Sequence, residues 1–183
     1  EYKWDGIRGQ LIKRNTEIFI WSRGEELVTP QFPELVTALE HIPGNFVLDG
    51  EILAVNDDEV LNFNELQKRL NRKTITPKML REIPVKVFVY DILEFNDEDL
   101  REKPLSVRRK ILENLIETYP VEHIKISGSV PFKNWDDLIA IRDNSRENNS
   151  EGLMLKQKNS HYHSGRKKGD WWKWKVDALT IDA

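Results

Sequence analysis

The stretch Glu1-Tyr2-Lys3-Trp4-Asp5-Gly6-Ile7-Arg8 places a lysine two residues before an Asp-Gly pair and five residues before an arginine. A lysine amine can attack a nucleotide phosphate once it has lost its proton. A free lysine has a pKa of about 10.4, so cationic neighbours or desolvation are needed to make the neutral amine available. The spacing alone is a weak signal, because a surface lysine beside an Asp-Gly turn has the same pattern.

Further short blocks follow in order along the chain, and each is weak when taken alone. They are Ser22-Arg23-Gly24, Asp49-Gly50-Glu51, Tyr90-Asp91, Glu151-Gly152-Leu153-Met154 and Lys173-Trp174-Lys175. Together with the first octet, this ordered set resembles the adenylation (nucleotidyltransferase) domain of ATP-dependent DNA ligases over nearly all 183 residues. The resemblance implies a single adenylation domain over 1–183, a fragment of a longer ligase whose OB-fold domain is absent.

The hydrophobic pattern predicts an α+β fold, because most strands alternate as antiparallel strands do and the helices occur singly. The resemblance implies the ATP-grasp-like nucleotidyltransferase fold, with antiparallel sheets flanked by helices around a nucleotide pocket. Strands are predicted at 6–14, 16–23, 46–55, 84–93, 123–126, 152–156 and 171–176. Helices are predicted at 30–40, 62–70 and 134–146, the last capped by Asn134 with Asp137 three residues on. Another helix begins at an N-cap, Ser106, and ends at Pro120. Its apolar stripe is predicted to be Val107, Ile111, Leu112, Leu115 and Ile116.

Composition narrows the class of protein. Hydrophobic residues make up 39% and charged residues 32%, which indicates a globular chain, and the absence of cysteine excludes disulfides and thiolate metal sites. No apolar run approaches the roughly 18 residues of a membrane span, and no export signal is visible. We therefore expect no membrane partner. The resemblance, together with the lack of an export signal, implies a cytoplasmic location of the bacterial, nucleoid-associated kind, and a monomer is the default expectation.

Nucleotide chemistry is expected to centre on Lys3. The resemblance implies that Lys3 attacks the α-phosphate of ATP, forms lysyl-AMP and releases pyrophosphate. Lys173 and Lys175 are two residues apart on a predicted strand, so both side chains point the same way, roughly 6–7 Å apart along the chain. They would hold the α-phosphate and stabilise its charge.

Other residues are assigned to the nucleotide by the resemblance. Tyr90 would stack on adenine with Met154 on the opposite side, and Glu1 and the main chain of Tyr2 would read the amino edge. The guanidinium groups of Arg8 and Arg23 suit phosphate or ribose, although either could form a salt bridge instead. For Tyr90 and Met154, simple core packing is the competing interpretation.

The resemblance also implies Mg²⁺, with Glu51 near the ribose and the metal and Glu151 near the metal. Magnesium needs only one or two carboxylates, because it keeps several water ligands. Asp49 shares the strand face of Glu51 and is a weaker candidate. His161 and His163 are poor evidence for zinc, because no third ligand is evident.

The expected macromolecular partner is nicked double-stranded DNA. The net charge of −3 does not favour a uniformly basic binder, but two local basic stretches could meet phosphates. The predicted DNA contacts are Arg69, Arg166, Lys167 and Lys168. A solvated surface is the competing interpretation. We expect weak, salt-sensitive DNA binding and weak nick sealing by these 183 residues alone.

Three alternatives remain open. The first two are an RNA ligase and an mRNA-capping guanylyltransferase, both of which share the Lys-x-Asp-Gly motif. Ser22-Arg23-Gly24 and the stretch at 63–69 nevertheless look more like those of DNA ligases. A module that binds nucleotides without catalysis is the third. Neither a Gly-x-x-x-x-Gly-Lys-Ser/Thr loop nor a Gly-x-Gly-x-x-Gly motif is present, so ATP would need the lysine-centred pocket.

Overall fold

The computed structural model describes residues 1–72, 74–165 and 167–176. Within them, the strands are β1 (Tyr2–Trp4), β2 (Ile7–Arg14), β3 (Glu17–Ser22), β4 (Phe46–Asn56), β5 (Glu59–Val60), β6 (Val85–Phe95), β7 (Glu98–Asp99), β8 (Ile124–Ile126), β9 (Ser150–Lys156) and β10 (Trp171–Lys175). The α-helices are α1 (Pro33–Glu40), α2 (Phe63–Leu70), α3 (Pro77–Glu82), α4 (Leu105–Thr118) and α5 (Trp135–Asp143). None of these described helices is long and apolar enough to cross a membrane.

The larger sheet is built around β4 and β6. Its strand order is β3-β2-β4-β6-β7, with β5 beside β4 and β8 beside β6. Val85, Val87 and Val89 alternate along β6 and are fully buried, which is the period-two pattern of a strand with one face in the core. All pairings are antiparallel except that of β8 with β6. The predicted α+β class with antiparallel sheets is confirmed.

The smaller sheet joins the two ends of the described chain. Strand β9 lies between β1 and β10, with Tyr2 opposite Leu153 and Lys173 opposite Met154. Gly152 has a φ of +132°, and a Cβ there would collide with the backbone oxygen of Trp174. Because only glycine fits this approach, β9 and β10 can pair closely beside Glu151.

The core lies under the larger sheet, where α1 packs on β3 and β6 and α4 packs on β6 and β8. On α4, Leu112, Leu115 and Ile116 are buried as the helical spacing predicts, but Val107 is exposed. The prediction that Val107 belongs to the apolar stripe is therefore wrong. The fully buried apolar residues of β2, β3, α1 and β4 are Leu11, Ile20, Leu35, Leu39, Phe46, Leu48 and Ile52.

The start of α4 differs from the prediction. Its N-cap is Pro104 rather than Ser106, whose backbone N–H instead donates to Lys158 O at 2.8 Å. The Leu105 N–H similarly donates to Ser160 O at 2.8 Å. The free donors of the first helical turn are thus satisfied by the segment between β9 and β10, and no serine hydroxyl is needed.

Two other helices, α5 and α3, differ from the predictions in length or were not predicted. Asn134 caps α5 and accepts from the Asp137 N–H at 2.9 Å, as expected, but the α-helix ends at Asp143 and a 3-10 turn follows at Ser145–Asn148. Helix α3 was not predicted, because its six residues carry too few apolar positions to show a period.

Candidate active site

A cavity of about 1420 Å³ is lined by residues of both sheets. Strands β1, β9 and β10 contribute one wall, and β2, β4 and β6 contribute the other. Gly6 lies where β1 passes into β2, and a Cβ there would collide with the backbone oxygen of Ile52 on β4. This glycine lets the segment that follows Lys3 run directly against the larger sheet.

The three predicted lysines meet in this cavity. Lys3 forms an ion pair with the Glu151 carboxylate, and the same oxygen, Oε2, lies 3.2 Å from the Lys175 amine. Lys173 lines the same cavity. Lys3 and Glu151 are 148 positions apart in the chain and converge because β1 pairs with β9. Lys173 and Lys175 join them because β10 pairs with the other edge of β9.

Charges on this wall influence one another. Desolvation lowers the pKa of Lys173, and the nearby cations Lys3, Arg23 and Lys175 lower it further. Burial acts to raise the pKa of Glu151, but hydrogen bonds and charges from Lys3 and Lys175 outweigh it and leave the pKa below its ordinary value. The wall therefore presents several positive groups against one ionised carboxylate.

Glu51 lies on β4 and lines the cavity. Burial raises the pKa of its carboxyl to about 7, Asp49 raises it, and Lys3 acts in the opposite direction. A carboxyl with this pKa holds a proton part of the time near neutral pH. A cation that entered the cavity would displace that proton.

The end of the cavity assigned to the base contains the predicted Glu1, Tyr2, Tyr90 and Met154. The Met154 N–H donates to Glu1 O at 2.8 Å, so these residues sit side by side. The Glu1 carboxylate is held at both oxygens, with Oε1 3.0 Å from Arg109 and Oε2 2.7 Å from Lys156. The carboxylate is therefore held in one place before any ligand enters.

Lys156 is a cavity residue that the sequence analysis did not assign. Its amine lies 4.3 Å from the ring centre of Tyr90 and 4.4 Å from that of Trp171, a cation–π arrangement with both rings. A base that stacks on Tyr90 must therefore use the opposite ring face or displace this amine. Alternation along β9 could have found it, because Met154 and Lys156 are two residues apart on one strand.

Arg8 forms a salt bridge, one of the two outcomes left open. Its Nε lies 3.0 Å from Asp49 Oδ1 and its Nη2 lies 2.6 Å from Asp49 Oδ2, while 38% of the side chain stays exposed at the cavity. Asp49 is fully buried and also accepts hydrogen bonds from the hydroxyls of Tyr90 and Tyr162. The sequence analysis missed Tyr162 because it lies in a polar segment without a period.

Arg23 also lines the cavity, on the loop that follows β3. The described residues provide it with neither an ion pair nor a hydrogen-bond partner. Within the described part of the chain, Arg23 therefore has no counter-charge, and its charge helps to lower the pKa of Lys173.

The predicted DNA contacts divide into three cases. Arg69 is fully buried and hydrogen-bonds Glu34, Gln31 O and Ile83 O, so the prediction that it contacts DNA is wrong for this fold. Its charge is satisfied inside the core, where DNA cannot reach it. Lys167 and Lys168 are exposed, and Lys167 lines the cavity. Arg166 lies outside the described residues.

The residues fit a magnesium ion held mainly by water and phosphate. Glu51 and Glu151, the two residues predicted to lie near the metal, both line the cavity. In the described ranges, no group of three or more His, Asp or Glu side chains is arranged to hold a metal. Two carboxylates are enough for magnesium, because its remaining ligands are usually water or substrate oxygens.

Comparison with known proteins agrees with this geometry. The model of a family described as ATP dependent DNA ligase domain matches residues 1–175. Curated DNA ligases of Saccharolobus islandicus (strain Y.N.15.51 / Yellowstone #2) and Saccharolobus solfataricus are 36% and 35% identical over 97% of this chain. The chain spans 30% of the length of either protein.

Solved structures show the same fold. The ligase domain of M. tuberculosis LigD is 26% identical with a TM-score of 0.74, and the match covers 93% of this chain and 52% of that one. A mycobacterial DNA ligase D complexed with ATP and MES is 25% identical with a TM-score of 0.71 over the same shares. The ligase adenylation fold predicted from the sequence is thereby confirmed, and the chain belongs to the ATP-dependent DNA ligase domain family.

Proposed function

We propose that this chain is the adenylating part of an ATP-dependent DNA ligase and that Lys3 is its nucleophile. The observation that carries the proposal is the convergence of Lys3, Lys173 and Lys175 on one cavity with Glu51 and Glu151. A cavity of about 1420 Å³ is larger than a drug-sized ligand pocket of about 300–1,000 Å³, which leaves room for a nucleotide and part of a second substrate.

The first step joins AMP to the protein. Lys3 is an ammonium while it is paired with Glu151, so it must first release a proton. The neutral amine then attacks the α-phosphate of ATP, an N–P bond forms, the bond to pyrophosphate breaks, and a second proton leaves the nitrogen. Lys173 and Lys175, which line the same cavity, would balance the charge of the transferred group. Glu151, already paired with Lys3, positions the amine.

The base would occupy the end of the cavity that contains Glu1, Tyr90 and Met154. A Glu1 carboxylate held by Arg109 and Lys156 accepts hydrogen bonds and cannot donate them, so it suits the amino group of adenine and repels the keto oxygen of guanine. This argument favours ATP over GTP, and therefore a ligase over a capping guanylyltransferase.

The later steps need nicked DNA. AMP passes from Lys3 to the nick 5′-phosphate, and the 3′-hydroxyl then attacks and expels AMP. We assign Mg²⁺ to Glu51 and Glu151, where it would neutralise phosphate charge. The curated relatives are much longer than this chain, so a further domain, such as an OB-fold, would close over the DNA together with it. The curated relatives are archaeal, so the bacterial-style cytoplasmic location stays a prediction.

The test is covalent labelling with α-³²P-ATP and magnesium. We expect label on the unmodified chain, none on Lys3→Ala, and full label on the control Lys110→Ala, which changes an exposed lysine of α4. Label that persists on Lys3→Ala would remove Lys3 as the nucleophile. Equal labelling by α-³²P-GTP would favour the capping alternative.

Nicked duplexes then separate the two ligase types. We expect transfer of AMP to a nick with DNA termini to exceed transfer to one with RNA termini. The reverse preference would reassign the chain to RNA ligation. Binding of ATP without any covalent label would support the non-catalytic alternative.

A further inference from the structure

The hydroxyl of Tyr162 lies between Arg8 and Asp49 at the wall of the cavity. Tyr162 belongs to the segment between β9 and β10, whereas Arg8 is on β2 and Asp49 is on β4. The hydroxyl donates to Asp49 Oδ2 at 3.0 Å and accepts from Arg8 Nη2 at 2.6 Å. It also accepts from Gln10 Nε2 at 3.4 Å. A phenol has one donor and two acceptor positions, so all three are in use.

Asp49 is equally saturated. Its carboxylate is fully buried and accepts four hydrogen bonds, two from Arg8, one from Tyr90 at 3.3 Å and one from Tyr162. An ionised carboxylate offers about four lone-pair positions. Asp49 therefore has no position left for a ligand, and its contacts orient its neighbours.

Arg8 is different, because only one edge of its guanidinium is occupied. Its Nε and Nη2 groups contact Asp49 and Tyr162. Its Nη1 has no hydrogen-bond partner among residues 1–72, 74–165 and 167–176. The side chain lines the cavity and is 38% exposed, so Nη1 remains available to an acceptor there.

The segment that carries Tyr162 is also held by contacts that do not involve the hydroxyl. The Tyr162 N–H donates to Arg101 O at 2.8 Å, and the ring meets Trp171 edge-on with centres 6.4 Å apart. Ser160, two residues earlier, is tied to the start of α4. Burial raises the pKa of Tyr162 to about 12, so at neutral pH the hydroxyl keeps the proton that it donates to Asp49.

We propose that Tyr162 is a positioning residue, which together with Asp49 orients Arg8 so that its Nη1 meets a phosphate or ribose oxygen in the cavity. The inference rests on the proposed ligase function, because that function brings such an oxygen there. Three N–H groups fixed on one edge leave the guanidinium little freedom to rotate, so the opposite edge is preorganised for the ligand.

The test is a double-mutant cycle of Arg8→Ala and Tyr162→Phe, read in two single-turnover assays. One assay measures labelling of Lys3 by α-³²P-ATP, and the other measures transfer of AMP from pre-labelled protein to a nick with a 5′-phosphate. The phenylalanine keeps the ring against Trp171. Tyr119→Phe, at an exposed tyrosine beyond α4, is the matched control.

We expect Tyr162→Phe to slow at least one assay by about tenfold and Tyr119→Phe to slow neither. The affected assay shows whether the oxygen belongs to ATP or to the nick. In the Arg8→Ala background, Tyr162→Phe should add no further loss, because it acts through Arg8. Unchanged rates in Tyr162→Phe, or losses that multiply with those of Arg8→Ala, would overturn the inference.

Folding is checked by thermal melting, with Tyr162→Met as a second variant that also lacks the hydroxyl. If both variants lose the folded state, the hydroxyl serves stability and the inference fails. A folded variant with a slowed assay supports it. Absence of label on the unmodified chain would instead refute the proposed function, so the two failures are distinguishable.

Discussion

Arg108 hydrogen-bonds Asp91 at two points inside the core, 2.8 Å from Nε to Oδ1 and 2.8 Å from Nη2 to Oδ2, and both side chains are fully buried. Arg108 Nη1 also donates to Ser160 O at 3.2 Å. Because Asp91 follows Tyr90 on β6, this pair joins α4 and the segment between β9 and β10 to the wall of the cavity. Its integrity therefore supports both the fold and the base end of the site.

Asp91→Asn should destabilise the protein strongly, because it leaves the Arg108 charge buried without a counter-charge. We expect the free energy of unfolding to fall by about 3–5 kcal/mol in urea titrations. The control is Asp99→Asn, which removes the exposed partner of Arg101 and should cost less than about 1 kcal/mol. An equal fall in the free energy of unfolding for the two variants would show that burial of the Asp91–Arg108 pair does not add to stability.

Arg109→Met should weaken the preference for ATP. Arg109 holds Glu1 Oε1 at 3.0 Å, and without it the carboxylate is held by Lys156 alone. We expect the ratio of ATP to GTP labelling to fall about fivefold, the effect of losing a charge-assisted hydrogen bond that orients the reading group. Arg81→Met, at an exposed arginine of α3, is the control. A parallel fall in both labels would mean that Arg109 affects the rate without affecting the choice of base.

The sequence predicted the elements that carry a strong period. Val85, Val87 and Val89 fixed β6 by alternation, and Asn134 marked the start of α5 by its capping pattern. Charged residues were harder to place, because a basic side chain looks the same in sequence whether it faces solvent or the core. Arg69 was assigned to DNA with its basic neighbours, yet its partner Glu34 lies 35 residues away.

The candidate site shows the same division. The ordered motifs identified Lys3, Lys173 and Lys175, which the paired strands bring together. Tyr162 and Lys156 were not predicted as site residues, because their importance depends on contacts with residues distant in sequence, and such contacts leave no local pattern. Only the fold shows that Tyr162 reaches Asp49, which is 113 positions earlier.

Glu51→Gln should stabilise the protein at high pH. Burial raises the pKa of Glu51 in the folded protein from 4.5 to about 7. Between these two pH values the folded protein therefore keeps a proton on Glu51 that the unfolded chain has released. Stability from this group is therefore present below about pH 4.5 and is lost as the pH rises to about 7. We expect the glutamine variant to gain up to about 3 kcal/mol near pH 8 relative to the unmodified chain, and little near pH 4.

Urea titrations at several pH values measure this difference. Glu117→Gln, at an exposed position of α4, is the matched control and should show no pH-dependent gain. A gain for Glu51→Gln that stays constant from about pH 4 to about pH 8 would contradict the raised pKa.

Lys167→Ala with Lys168→Ala should reduce the salt dependence of DNA binding, whereas Arg69→Ala should not. Both lysines are exposed, and each phosphate contact that is lost lowers the slope of log K against log salt by about 0.9. We expect the double variant to lose about 1–2 units of slope in fluorescence anisotropy with a nicked duplex, since Lys167 is partly engaged by Asp170 at 3.7 Å.

Arg69→Ala should instead lower the free energy of unfolding by about 3 kcal/mol, because it leaves Glu34 without its buried partner. A folded Arg69→Ala protein with a reduced slope would restore Arg69 to the DNA interface, and an unchanged slope in the lysine variant would remove Lys167 and Lys168 from it.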